Sequence, residues 1–217
     1  MAGRRVILAG ATGLVGRELL QGLLADASVA QVHALGRRAL ELHHAKLVDH
    51  VVDFAAVPAL PPADEVYLAL GTTIKVAGSQ AAFRAVDHDA NLAVARAARA
   101  AGAKRAGVVS AMGADAGSAV FYSRVKGELE QALAGLGFDG LVIARPSLLA
   151  GDRRALGQPQ RRGELIGSAL AKLLGRLVPA NYRPIEARKV AQALLSAVPQ
   201  CTGTQLLPSG SMQRRPS

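Results

Sequence analysis

Tyr122 and Lys126 place a phenol and an ammonium four residues apart, on one face of any helix that contains both. Hydride addition to a carbonyl carbon needs a proton for the developing oxyanion, and a phenol beside a cation can deliver that proton and recover it. Ser110 ends an apolar run and offers a hydroxyl to the same oxygen. Tyr-x-x-x-Lys spacing also occurs on plain surface helices, so its weight rests on its companions.

The main companion is Gly10-Ala11-Thr12-Gly13-Leu14-Val15-Gly16, with glycine at every third position. Bare backbone there permits a tight turn, close approach of a pyrophosphate and packing of a helix on the preceding strand, while the helix start offers N–H groups to phosphates. A structural turn without a ligand is the other reading. The turn falls between a strand and a helix, as a dinucleotide site requires. Gly36-Arg37-Arg38 closes the second strand, where an acid would bond the 2′-hydroxyl of NAD. No carboxylate occurs between Asp26 and Glu41, and two guanidinium groups suit a 2′-phosphate, so the expected cofactor is NADP(H). Solvated loop charges are the bland alternative. Asp53 and Phe54, past the third strand, either face an adenine or, for Asp53, cap a helix.

The elements that must position these groups follow from hydrophobic period. Residues 6–9, 29–35, 45–53, 64–70, 105–110 and 138–144 read as strands, the last stopped ahead of Pro146. Helical spacing covers residues 14–24, 79–101 (Phe83, Val86, Ala90, Val94, Ala97) and 122–136. This alternation predicts an α/β fold, a Rossmann-type doubly wound parallel sheet. Beyond Pro146, residues 151–163 are basic and glycine-rich, and 164–177 and 186–198 read as helices. Residues 1–208 are expected to form a single NAD(P)-binding domain, with about 147–208 as a small C-terminal cap on the substrate side and 209–217 as a disordered tail.

Composition narrows the function classes. The net charge is +10, yet the pairs Arg37-Arg38, Arg153-Arg154, Arg161-Arg162 and Arg214-Arg215 are scattered and only 3% of residues are aromatic, which argues against nucleic acid. No long uncharged apolar run predicts a membrane span. The lone cysteine, Cys201, fits a cytoplasmic location. His43, His44, His50 and His88 lack zinc-site spacing, so no metal is expected, and His33 lies within a strand as a core residue. The expected partner is a small-molecule substrate, and pairing into a homodimer stays open.

Taken in order, the glycine turn, Ser110, Tyr122 with Lys126, and Arg145-Pro146 resemble the short-chain dehydrogenases/reductases, extended or atypical branch, over about residues 4–198. More narrowly, Gly36-Arg37-Arg38, Val52-Asp53-Phe54, Leu70-Gly71-Thr72-Thr73, Lys126-Gly127-Glu128 and Gly151-Asp152-Arg153 resemble the Tat-interactive-protein-like oxidoreductases. That resemblance implies NADPH held by Thr12, Gly13, Leu14 and Val15, by Arg37 and Arg38, by Leu70 and Gly71, and by Tyr122 and Lys126. It further implies Leu149 beside the nicotinamide and Arg161 near the phosphates. Two departures stand out. The interval from Ser110 to Tyr122 is one residue shorter than in most members, which weakens Ser110, and the long C-terminal region of sugar-nucleotide epimerases is missing. Asn91 matches an asparagine that orders a relay water in extended members, or is a polar residue on a helix face.

Three functions are compatible with these residues. The first is an NADP-dependent oxidoreductase that reduces a carbonyl or quinone-type small molecule, with Tyr122 as proton donor. The second is an NADPH-binding redox sensor or scaffold that offers a surface to a protein partner without turnover. The third is epimerase- or dehydratase-like chemistry on a small substrate.

Overall fold

Val6, Ile7, Leu8 and Ala9 are all fully buried, because β1 (Arg4–Ala9) lies mid-sheet with helices against both faces. The computed structural model describes residues 3–150 and 179–213. Its strands continue with β2 (Val29–Gly36), β3 (Leu47–Val51), β4 (Glu65–Leu68), β5 (Arg105–Val109), β6 (Gly140–Arg145), β7 (Leu149–Ala150), β8 (Ile185–Glu186) and β9 (Gly203–Pro208). Seven of these form one parallel sheet in the order β3-β2-β1-β4-β5-β6-β9, and β7 pairs with β8 separately. The chain winds outward from β1 to β3, then restarts at β4 on the other side of β1. That reversal opens a crevice at the carboxyl ends of β1 and β4.

Alternation along β1 divides the core. Val6 and Leu8 join Leu19 and Leu23 of α1 (Leu14–Ala25) on one side of the sheet. Ile7 and Ala9 join Val94 and Ala98 of α4 (Asn91–Ala100) and Leu129 and Leu133 of α5 (Phe121–Ala134) on the other. The amino ends of the strands are tied together by Arg4. Its guanidinium donates to Glu65 at 2.6 and 2.8 Å, to Asp26 at 2.6 Å and to the Ser28 hydroxyl at 2.9 Å, joining β4, the end of α1 and the start of β2. The Tyr67 hydroxyl donates to Glu65 at 3.2 Å, and burial, reinforced by the Glu65 charge, pushes its pKa well up.

Three expectations are corrected. The helix predicted over 79–101 runs without a gap from Gln80 to Ala100 but is not uniform: a separate short helix, α2 (Ile74–Ala77), precedes it, and between α3 (Gln80–Arg84) and α4 it passes through a π-helical turn at Ala85–Ala90. One extra residue per turn there shifts the side chains that follow relative to an unbroken helix. Of the segment expected as a cap, the described part contributes α6 (Ala187–Ala197) to the core beside α1, with Val190 and Leu194 fully buried, and β9 to the sheet edge. The tail expected to be disordered is helical at α7 (Ser209–Met212), with Ser209 and Met212 buried. The helix read over 164–177 and the basic stretch before it lie outside the described residues, as do residues 214–217. Among the described residues, no helix is long and apolar enough to cross a membrane.

Candidate active site

Gly10 adopts φ +91°, and a Cβ there would meet the Ala69 carbonyl oxygen at 2.5 Å. Behind it, a Cβ on Gly16 would sit 1.9 Å from the Gly10 carbonyl oxygen, so α1 approaches β1 as closely as backbone allows. Gly13 is the helix N-cap and has no side chain to cap α1, so the first N–H groups of the helix carry no side-chain cap. This turn floors a cavity of about 490 Å³, within the range of small-molecule sites.

The cavity collects much of what the sequence singled out. Gly10, Thr12 and Gly13 line its floor, Arg37 and Arg38 one end, Asp53 and Phe54 the same flank, and Leu70 and Gly71 the opposite wall. Leu14, Val15 and Gly16 do not line it; Val15 is buried in the core. Leu149 pairs with Ile185 across β7 and β8, away from the lining. Arg161 lies outside the described residues. Neither Arg37 nor Arg38 has a side-chain partner among the described residues. Asp53 accepts from the Ala55 N–H at 2.9 Å, closing a local turn and capping no helix.

Asp49 also lines this end, a carboxylate that lies outside the interval from Asp26 to Glu41 because it comes from the neighbouring β3. One of its oxygens accepts from the Leu40 N–H at 2.7 Å, and the other is buried without a partner among the described residues. It stiffens the loop that carries the two arginines.

Tyr122, Lys126 and Ser110 do not line the cavity. Lys126 lies directly behind its wall: its ammonium contacts Asp87 Oδ1 at 2.7 Å, with the two side chains only 5% and 2% exposed. The other Asp87 oxygen accepts from the Thr72 N–H at 2.8 Å, next to the lining residue Gly71. Asp87 belongs to the π-helical turn, whose Ala85, Val86, Asp89 and Ala90 line the cavity. Tyr122 is 37% exposed, and its ring packs at 5.5 Å from that of Phe83. Arg84 and Glu128 form an ion pair that also joins α3 to α5.

Asn91, read as a helix-face residue or an aid to a relay water, is only 1% exposed. Its amide donates to the carbonyls of Leu70 and Asp87 at 3.1 Å and of Val86 at 3.3 Å. It therefore binds the cavity wall to the π-helical turn. Ser110 is buried, and its hydroxyl donates to Glu130, a carboxylate that also accepts from Arg145 at 3.0 and 2.6 Å. The Glu130 hydrogen bond holds the Arg145 pKa above its ordinary value, against the opposing effect of burial. Ser110 thus has its proton engaged by the protein and keeps only lone pairs for a ligand.

Sequence reasoning missed Asp87, Asp49 and Glu130. For Asp87 a signal existed: Phe83, Asp87 and Asn91 recur at four-residue intervals, placing an acid and an amide on the stripe of a buried phenylalanine.

A family model described as NAD(P)H-binding matches residues 10–159. The chain belongs to the NAD(P)H-binding family. Two relatives sharpen that placement. The mitochondrial protein fmp52 of Emericella nidulans is 37% identical over 182 residues, 79% of this chain and 76% of that one. The mitochondrial FMP52 of Coccidioides immitis is 34% identical over 206 residues, 88% of this chain and 83% of that one. An oxidoreductase of the short-chain dehydrogenase/reductase family from Burkholderia thailandensis superposes with a TM-score of 0.68 at 21% identity, covering 98% of this chain and 94% of that one. The fold is thus that of the short-chain dehydrogenases/reductases, as the motifs implied. The relatives' names overturn the cytoplasmic expectation. A single thiol excludes an intramolecular disulfide in every compartment, so Cys201 carried no information on location.

Proposed function

We propose that this NAD(P)H-binding family member is an NADPH-dependent reductase of a small carbonyl or quinone-type substrate. The observation that carries this reading is the Lys126–Asp87–Thr72 connection, which fixes the ammonium of the Tyr-x-x-x-Lys pair against the back of the cavity wall. Bound NADPH supplies a hydride to the carbonyl carbon. Tyr122 donates its hydroxyl proton to the carbonyl oxygen and recovers it from solvent, to which it is partly open. Lys126 spends one N–H on Asp87, and its remaining donors would meet the nicotinamide-side ribose where the cofactor runs past the lining of this cavity toward α5. Arg37 and Arg38, which have no side-chain partner among the described residues, would pair with the 2′-phosphate. Ser110 acts on Glu130 and Arg145 and leaves the substrate proton to Tyr122.

Tyr122→Phe is the test, assayed on a panel of aldehydes, ketones and quinones alongside NADPH titration. The expected result is a loss of turnover of about a hundredfold or more with unchanged NADPH affinity. Wild-type turnover in the variant overturns the assignment. The engagement of the Ser110 proton by Glu130 favours a second reading, an NADPH-binding sensor without turnover. Tight NADPH binding with inertness across the whole panel selects it.

A further inference from the structure

We propose that Asp87 is a positioning residue: it aims Lys126 at the nicotinamide-side half of the cofactor and links that aim to the Gly71–Thr72 wall. The proposal rests on the reading of the cavity as an NADPH site and goes beyond it by giving a role to a residue outside the Tyr-Lys motif.

A lysine this deeply buried requires a counter-charge, because an ammonium withdrawn from water without one is strongly unfavourable. Asp87 supplies it and is itself fixed at three points. One oxygen meets Lys126 at 2.7 Å, and the other accepts from Thr72 N–H at 2.8 Å. Its main-chain carbonyl accepts from the Asn91 amide at 3.1 Å, and the same amide holds the Leu70 carbonyl. Both carboxylate oxygens are therefore assigned, one to α5 and one to the cavity wall. The π-helical turn lets Asp87 and Asn91 serve these partners together. A carboxylate that only neutralised Lys126 would not need the bond to Thr72. This one sets the ammonium's place relative to the residues that line the cavity.

The experiment uses two probes on the full chain, NADPH and adenosine 2′,5′-bisphosphate, which carries the 2′-phosphate but no nicotinamide ribose. Asp87→Asn keeps the shape and one acceptor but loses the charge and one bond. The expected result is NADPH binding weakened by about tenfold or more, with affinity for the bisphosphate within about twofold. Equal weakening of both probes overturns the proposal, since it marks general damage to the wall, as does unchanged NADPH affinity. Lys126→Met and the double variant D87N/K126M guard against a folding failure of the single variant, because the double removes both buried charges. If Asp87 acts through Lys126, the double variant binds NADPH no more weakly than Lys126→Met alone. A further tenfold loss in the double overturns the role. A wild-type chain that binds neither probe refutes the NADPH reading itself and is distinguishable from either result.

Discussion

The hydroxyl of Ser110 donates to the carboxylate of Glu130, and both groups are buried. The bond ties the end of β5 to α5, twenty residues on, and Arg145 at the end of β6 clamps the same carboxylate. Ser110→Ala removes a charge-assisted bond and is expected to lower the unfolding free energy by about 1.5–3 kcal/mol in denaturant titration. Turnover should fall far less than in Tyr122→Phe. A loss of activity equal to that of Tyr122→Phe, at unchanged stability, would return Ser110 to direct contact with substrate.

Gly16→Ala places a methyl group where the Gly10 carbonyl oxygen already stands. The strand and helix must then part, at an expected cost of about 2 kcal/mol or more, and the floor of the cavity changes shape. Thermal melting and NADPH titration should both register the change. Undiminished binding would mean that the glycine turn is not the pyrophosphate floor.

Arg37→Ala combined with Arg38→Ala tests the choice of dinucleotide. The double variant is expected to lose NADPH affinity by roughly tenfold to a hundredfold while NADH affinity moves by less than about twofold. Parallel isothermal titrations decide the matter, and equal losses for the two cofactors would reject a 2′-phosphate site.

His33 and His50 face each other across β2 and β3, with Nδ1 and Nε2 separated by 3.0 Å. Burial, aided by the charges of His50 and Arg5, holds the His33 pKa below its ordinary value. The folded state then resists a proton that the unfolded chain accepts, so the associated stability is complete above the ordinary histidine pKa of about 6.5 and is lost as pH falls below it. The melting temperature should therefore drop between about pH 7 and pH 5. His33→Leu should flatten that part of the curve, and an unchanged slope would assign the pH dependence to other groups.

The sheet and the glycine turn were legible because their signals are local. The run Val6, Ile7, Leu8, Ala9 is continuous, as a strand buried on both faces requires, and Gly10 follows at once. The π-helical turn was not legible, since one added residue slips the helical phase without any change in composition, and the apolar residues around Ala90 still fit a plain helix. The Asp87–Lys126 pair spans 39 positions and joins elements whose docking no periodicity encodes. β9 was missed because, at the sheet edge, most of its residues are exposed and its alternation is absent. The buried end of α7 was missed for a similar reason: Ser209, Gly210, Ser211 and Met212 carry one apolar side chain among them.

The Arg4 clamp has a consequence for how the molecule can change. It fastens the amino ends of the strands with a knot of charged and hydroxyl groups, whereas the cavity opens at their carboxyl ends. Tolerance to substitution is therefore polarised along the strands. Loops at the open edge can be exchanged to suit a new substrate while the knotted edge keeps the sheet in register, and an altered Arg4 would weaken every such variant alike.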